Sequence, residues 1–281
     1  MKILVTGGAG FIGTNLIKKL LSKGYDVVSL DNYNTGLKSN HQDGAEYINF
    51  DIRNIDDYSY WKPDVIYHLA AIARIQPSFE DPYSYFTTNA NATFKLAKYC
   101  SENNIPLIYA GSSSHHSGKF KNPYTFSKDI GEEIIYLYQT HFNLNASIAR
   151  FYNVYGPYHL KEGGYTTLIG AWEKCIEKNK PLTIYGDGTK RRDFTHVDDI
   201  VDALTLILEK QKWGHIFELG RGWNYSIKDI ADMFGKEIIY KDDKPGEALI
   251  TLCDDTSAKE LLGWDPKLNI EDYIKNYLCK K

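Results

Sequence analysis

The sequence predicts an α/β protein built on a parallel sheet wound with helices on both faces. Three observations carry this reading. Apolar runs of strand character alternate with amphipathic stretches of helical spacing along most of the chain. The first strand, residues 2–6, runs into Gly7-Gly-Ala-Gly-Phe-Ile-Gly13 and then a helical stretch, 14–23. A second strand, 25–31, closes on the acidic Asp31.

Each part of that opening unit has a physical task. Gly7 allows the tight turn, Gly10 lets the backbone approach a pyrophosphate, and Gly13 lets helix and strand pack closely. The helix N-terminus faces the phosphates. Asp31 can accept hydrogen bonds from both hydroxyls of an adenosine ribose and would repel a 2′-phosphate, so NAD is favoured over NADP.

The whole chain narrows the class further. Its 281 residues suffice for one large α/β unit or two lobes. A net charge of -3 without a basic run argues against nucleic acid or a membrane surface as partner. Cys100, Cys175, Cys253 and Cys279 lie far apart, with neither a Cys-x-x-Cys pair nor zinc spacing. Reduced thiols in a cytoplasmic protein, and no metal, are expected. The first residues read as a strand entering a turn rather than a signal peptide, and no apolar run is long enough to cross a bilayer.

Further strands follow in order. Residues 46–51 form a third, whose end, Asp51-Ile52, either faces the adenine or is a plain strand end. Residues 63–73 form a fourth that runs into small residues, where Ala70 and Ala71 leave room for a flat cofactor. His68 there reads as a packed core histidine. A long helix over 85–100 carries Asn89, and a fifth strand over 107–114 ends in the serines 112–114. In a doubly wound sheet, ligands gather at such carboxyl ends.

Asn122-Pro-Tyr-Thr-Phe-Ser-Lys128 opens the next helix and sets Tyr124 and Lys128 one turn apart on one face. A cation beside a phenol favours the phenolate, which suits acid–base work near neutral pH. The spacing alone is weak, since about two such pairs are expected by chance in a chain this rich in Tyr and Lys. Its position after the glycine turn and the serine strand gives it meaning.

Together these residues resemble the extended short-chain dehydrogenase/reductase superfamily, and within it the NAD-dependent nucleotide-sugar epimerase/dehydratase family. The likeness rests on Thr6–Gly13, Asp31-Asn32, Asp51-Ile52, His68-Leu-Ala-Ala71, the serines and Tyr124-x-x-x-Lys128. It continues through Arg150-Phe-Tyr-Asn-Val-Tyr-Gly-Pro157, the stretch from Tyr185 to Asp199, and Leu262-Gly-Trp-Asp-Pro266. The match runs in order over nearly the whole chain.

The resemblance implies a Rossmann-type doubly wound parallel sheet with a smaller interwoven C-terminal substrate lobe. Residues 1–155, joined by 193–214, would bind NAD; 156–192 and 215–281 would hold the nucleotide sugar. Tyr124 would be the catalytic acid/base, and Lys128 would lower its pKa and hold the nicotinamide ribose. A serine would hydrogen-bond the substrate hydroxyl: counting from the strand selects Ser112, counting back from Gly118 selects Ser113, and Ser112 is preferred. The cofactor would lie on Gly7, Gly10, Phe11, Ile12, Gly13, Asp31, Asn32, Asp51, Ile52, Leu69, Ala70, Ala71 and Asn89. Phe151 and Tyr152 would line the nicotinamide. The substrate would meet Asn153, Tyr185, Arg192, Lys244 and Glu247, with Thr251 limiting sugar bulk.

Two departures bear on the reaction. Dehydratases of the family carry Thr-Asp-Glu where this chain has Ser112-Ser113-Ser114, and decarboxylases carry a Glu there, so a 4-epimerase fits better. His115 and His116 also depart from the family pattern, as loop residues or as contacts to the sugar. The loop from the serines to Tyr124 is short, which should leave the sugar pocket open on that side. The resemblance thus implies a UDP-sugar 4-epimerase and a homodimer through the helices bearing Tyr85 and Tyr124. The alternatives are a 4-keto-sugar reductase, a decarboxylase, a dehydratase or a non-catalytic dinucleotide sensor.

Overall fold

The computed structural model describes residues 1–54 and 58–280. Residues 55–57 and 281, which the sequence assigns to the first domain and the C-terminal lobe, lie outside the described residues. Seven parallel strands make the main sheet: β1 (Lys2–Thr6), β2 (Asp26–Asp31), β3 (Glu46–Asn49), β4 (Val65–His68), β5 (Leu107–Ser112), β6 (Ala146–Phe151) and β9 (Ile216–Leu219). Between the last two come β7 (Leu182–Tyr185) and β8 (Arg191–Asp193). The spatial order is β3-β2-β1-β4-β5-β6-β9. The order reverses between β1 and β4, and there the carboxyl ends of the strands open a crevice.

Strand alternation sends neighbouring side chains to opposite faces. Ile3 and Val5 of β1 join a core with α1 (Phe11–Ser22). Leu4 joins a separate core on the other face. The helices that follow are α2 (Ile75–Glu80), α3 (Pro82–Phe86), α4 (Ala92–Asn103), α5 (Pro123–Phe142), α6 (Leu168–Glu177), α7 (Val197–Glu209), α8 (Ile227–Phe234), α9 (Ser257–Leu262) and α10 (Ile270–Leu278). Helices α1, α7 and α9 cover the first face, α4 and α5 the second. This bears out the predicted fold class.

Local chemistry sets the ends of the helices that matter for the cleft. The Asn122 side chain accepts from the Thr125 N–H at 2.8 Å, and Pro123 takes the first helical position of α5. His196 caps α7, whose first turn holds Asp198 and Asp199. The long helix expected over 85–100 is instead α3, a π-helical turn at Thr87–Asn91, and α4.

A third core, built on Tyr155, Trp172, Ile184, Phe194, Phe234 and Ile274, belongs to the smaller lobe. There β7 pairs with β11 (Ile238–Lys241), and β8 pairs with β10 (Asn224–Ser226). The division of the chain expected after residue 214 needs correction. Strand β9 lies in the main sheet beside β6, and Ala258, Leu262 and Trp264 pack into its core. The chain therefore visits the larger unit twice after residue 215, because β9 finds backbone partners only on the open edge of β6. No helix among the described residues is long and apolar enough to cross a membrane.

Candidate active site

A cleft of about 650 Å³ runs from the first glycine turn to the smaller lobe. At one end Gly7, Gly10, Phe11, Ile12 and Gly13 line it, with Asp31, Asn32 and Ile52 beside them. Gly7 has φ +74°, and a Cβ there would stand 2.8 Å from the Ala70 nitrogen. A Cβ on Gly13 would meet the Gly7 oxygen at 2.2 Å. Strand, turn and helix therefore meet at this distance only with glycine. At Gly10 the same test finds one neighbour, the Gly7 oxygen at 3.2 Å, so its outer side faces open space. That is the side on which a pyrophosphate would lie against the N-terminus of α1.

Asp31 ends β2 and is nearly buried. Its carboxylate accepts from the Ala9 N–H at 3.0 Å and the Tyr33 N–H at 2.8 Å. Burial raises its pKa, against the pull of those two N–H groups. The carboxylate is thus held in one orientation at the cleft wall. Leu69, Ala70, Ala71 and Phe151 also line the cleft. These residues fit a dinucleotide.

Two residues expected at the cofactor stand elsewhere. Asp51 is absent from the cleft wall; it binds Arg53 with an Nη2–Oδ2 distance of 2.7 Å and accepts from Asn32 at 3.1 Å. The Arg53 side chain holds its pKa down at about 2. It is Arg53 that reaches the cleft. Asn89 is buried in the π-helical turn, where it donates to the Ile72 carbonyl at 2.9 Å and accepts from the Ile72 N–H at 2.8 Å. It splints the loop after β4 rather than lining the cleft.

In the middle of the cleft stand Ser112, Ser113, Tyr124 and Lys128. The Tyr124 hydroxyl donates to the Ser112 Oγ at 3.3 Å. Ser113 lines the same wall without a hydrogen bond to Tyr124 among the described residues. Of the two serines, geometry selects Ser112 as Tyr124's partner. Burial raises the Tyr124 pKa, and the Ser112 hydrogen bond and the Arg74 charge oppose it. Lys128 is buried with its Nζ 4.2 Å from the centroid of the Tyr109 ring, and burial brings its own pKa down to about 8.

Arg74 also lines the cleft, and its charge acts on both Tyr124 and Glu247. No motif or spacing in the sequence marks this residue. The available signal was a lone cation directly after the small residues that follow β4. His68 packs between Thr6 at 2.8 Å and Thr93 at 2.9 Å, and burial lowers its pKa to about 3, which fits a neutral core imidazole.

His115 and His116 do not line the cleft. His115 pairs with Asp129 at 3.1 Å, and His116 with Glu218 at 2.9 Å. Glu218 belongs to a buried network in which Arg150 grips Glu132 at 2.6 Å and Glu218 at 2.8 Å, and His115 lies 3.9 Å from that Glu132. Tyr152, expected at the nicotinamide, is buried and donates to the Glu218 Oε2 at 3.0 Å.

At the far end the cleft is lined by Asn153, Arg192, Glu247 and Thr251. Arg192 pairs with Glu247 at 3.2 Å. Asn153 donates to the Asp193 carbonyl and to the Thr251 Oγ1, each at 2.9 Å. Thr251 therefore braces Asn153 as well as narrowing the cleft. Tyr185 and Lys244 are not brought to the wall. The Lys244 Nζ sits 3.6 Å from the centroid of the Tyr185 ring, and this cation–π pair occupies both.

Known proteins place this arrangement. A family model described as "NAD dependent epimerase/dehydratase family" matches residues 3–220. An uncharacterised UDP-glucose epimerase of Bacillus subtilis is 32% identical over 99% of this chain and 97% of its own length. The structure of a UDP-glucose 4-epimerase from Thermotoga maritima with UDP-glucose superposes with a TM-score of 0.92 at 28% identity, covering 100% of this chain and 99% of that one. That of a UDP-glucuronic acid 4-epimerase from Bacillus cereus, in complex with UDP-glucuronic acid and NAD, gives 0.90 at 29% identity with the same coverage. The chain therefore belongs to the NAD-dependent epimerase/dehydratase family, a branch of the extended short-chain dehydrogenases/reductases whose cofactor is NAD.

Proposed function

We propose that the protein is a nucleotide-sugar 4-epimerase and that its substrate is a UDP-sugar. The observation that carries this reading is the Tyr124 hydroxyl hydrogen-bonded to Ser112 midway along one continuous cleft. The dinucleotide residues lie at one end of that cleft and the Arg192–Glu247 pair at the other. NAD, when bound, supplies the redox chemistry by accepting hydride from C4 of the sugar and returning it. Tyr124 takes the C4 hydroxyl proton as hydride leaves and gives it back after the 4-keto sugar has presented its other face. Ser112 orients that hydroxyl, and Lys128 holds the ribose next to the nicotinamide. Arg192 meets the diphosphate with its guanidinium fork, and Asn153 and Thr251 fix the wall beside it.

Acid placement favours epimerisation over dehydration or decarboxylation. Among the described residues, the acids lining the cleft are Asp31, Asp81 and Glu247, and none stands on the serine loop. Elimination of water needs an acid–base pair at the sugar, and serines 112–114 cannot supply it. The test is to incubate the purified protein with UDP-, GDP- and dTDP-sugars without added cofactor. Interconversion of C4 epimers, fastest with a UDP-sugar, is expected. Net consumption of reduced nicotinamide would mark a reductase instead, and loss of water or carbon dioxide would mark the other two chemistries.

The active form we propose is a cytoplasmic homodimer. Apolar side chains exposed on α4 and α5, among them Phe94, Leu137 and Phe142, support a helical interface, and four free cysteines suit a reducing compartment.

A further inference from the structure

We propose that Arg74 is the residue that reads the sugar, and that it selects a sugar carrying a carboxylate. The inference deepens the epimerase reading and rests on it for one point, that the sugar lies at Tyr124. Arg74 stands between the two ends of the cleft, and its charge is felt at both Tyr124 and Glu247. A sugar reaching from the Arg192 end to the Tyr124 hydroxyl must pass it.

Its guanidinium is incompletely used. The Nε donates to the Tyr165 carbonyl oxygen at 3.0 Å, which fixes the direction of the fork. Its terminal nitrogens have no hydrogen-bond or ion-pair partner among the described residues. Glu247, the nearby acid, is engaged by Arg192. A cation lodged in a cleft wall with its one nearby acid paired to another arginine is poorly compensated, and what cancels it best is an anion arriving with the ligand. Two parallel N–H groups match the two oxygens of a carboxylate. A neutral sugar would need no more than an amide at this place.

The backbone at this position is strained. Arg74 has φ +88°, in the left-handed region where a side chain is strained and glycine is at ease. The Tyr85 hydroxyl, lying 2.8 Å from the Ala73 carbonyl oxygen and 3.0 Å from that of Arg74, holds the strained turn. Arg74→Gly removes both side chain and strain, so this variant is expected to fold.

The test is direct binding to the NAD-loaded protein, by calorimetry, of UDP-glucuronate, UDP-galacturonate, UDP-glucose and UDP alone. The uronates are expected to bind about ten-fold or more tighter than UDP-glucose, and in Arg74→Gly the ratio should fall to near one. Equal affinity of the wild type for charged and neutral sugars would overturn the proposal. So would an equal loss for UDP alone in Arg74→Gly, which would assign the guanidinium to the diphosphate. Failure of the epimerase reading shows separately, as carboxylate-selective binding without C4 interconversion.

Discussion

Tyr124 and Lys128 share a helix face, yet burial treats them oppositely: it raises the phenol and lowers the ammonium. Lys128 titrates at about 8 in the folded protein, against 10.5 for a free lysine. Between these values the unfolded chain holds the extra proton, so the stability of the cofactor-free protein rises with pH through that window. Below pH 8 the full cost of burying the cation is present. Lys128→Met removes that cost. The cofactor-free variant should be more stable than wild type at pH 7 by about 1–2 kcal/mol. The gain should shrink as pH climbs toward 10.5, while turnover is lost. A variant less stable at pH 7 by thermal melting would contradict the depressed titration. That a Tyr-x-x-x-Lys pair shares a face was readable from spacing. That Lys128 would lie on the Tyr109 ring was not, because the ring comes from β5.

Helix α5 presents Tyr124 at its first turn and is fastened to the sheet one turn beyond Lys128. Glu132 of α5 and Glu218 of β9 flank Arg150 of β6, all three nearly buried. Truncating one member leaves the others as uncompensated buried charges. Arg150→Ala should therefore cost about 3–5 kcal/mol in urea denaturation. A loss below about 1 kcal/mol would mean that the network is not what ties α5 down. The caps of α5 and α7 could be read from Asn122-Pro123 and from His196 with its following acids, because capping is local chemistry. The π-helical turn at Thr87–Asn91 could not, because Asn89 is drawn to the backbone of Ile72 by a tertiary contact. Strand β9 escaped for a related reason: four residues carry little periodicity, and their register exists only against β6. Arg53, Arg74 and the Lys244–Tyr185 pair likewise depend on which loops the fold brings together.

The molecule as a whole is a parallel sheet that offers a dinucleotide its carboxyl edge and a smaller lobe that closes the far end of the same cleft. Its order of strands was foreshadowed by the opening strand–glycine–helix–strand unit; its partition was not, since the last third of the chain crosses between the units. The exposed apolar faces of α4 and α5 predict self-association. Leu137→Glu should shift sedimentation from dimer to monomer, and a wild type that sediments as a monomer would remove the proposed interface. The central claim is that one phenol moves the C4 proton. The most direct measurement is epimer interconversion by Tyr124→Phe with NAD bound and UDP-sugar affinity checked in the same preparation. The account predicts retained binding and a loss of about 10²–10⁴-fold or more in turnover; substantial turnover by that variant would contradict it.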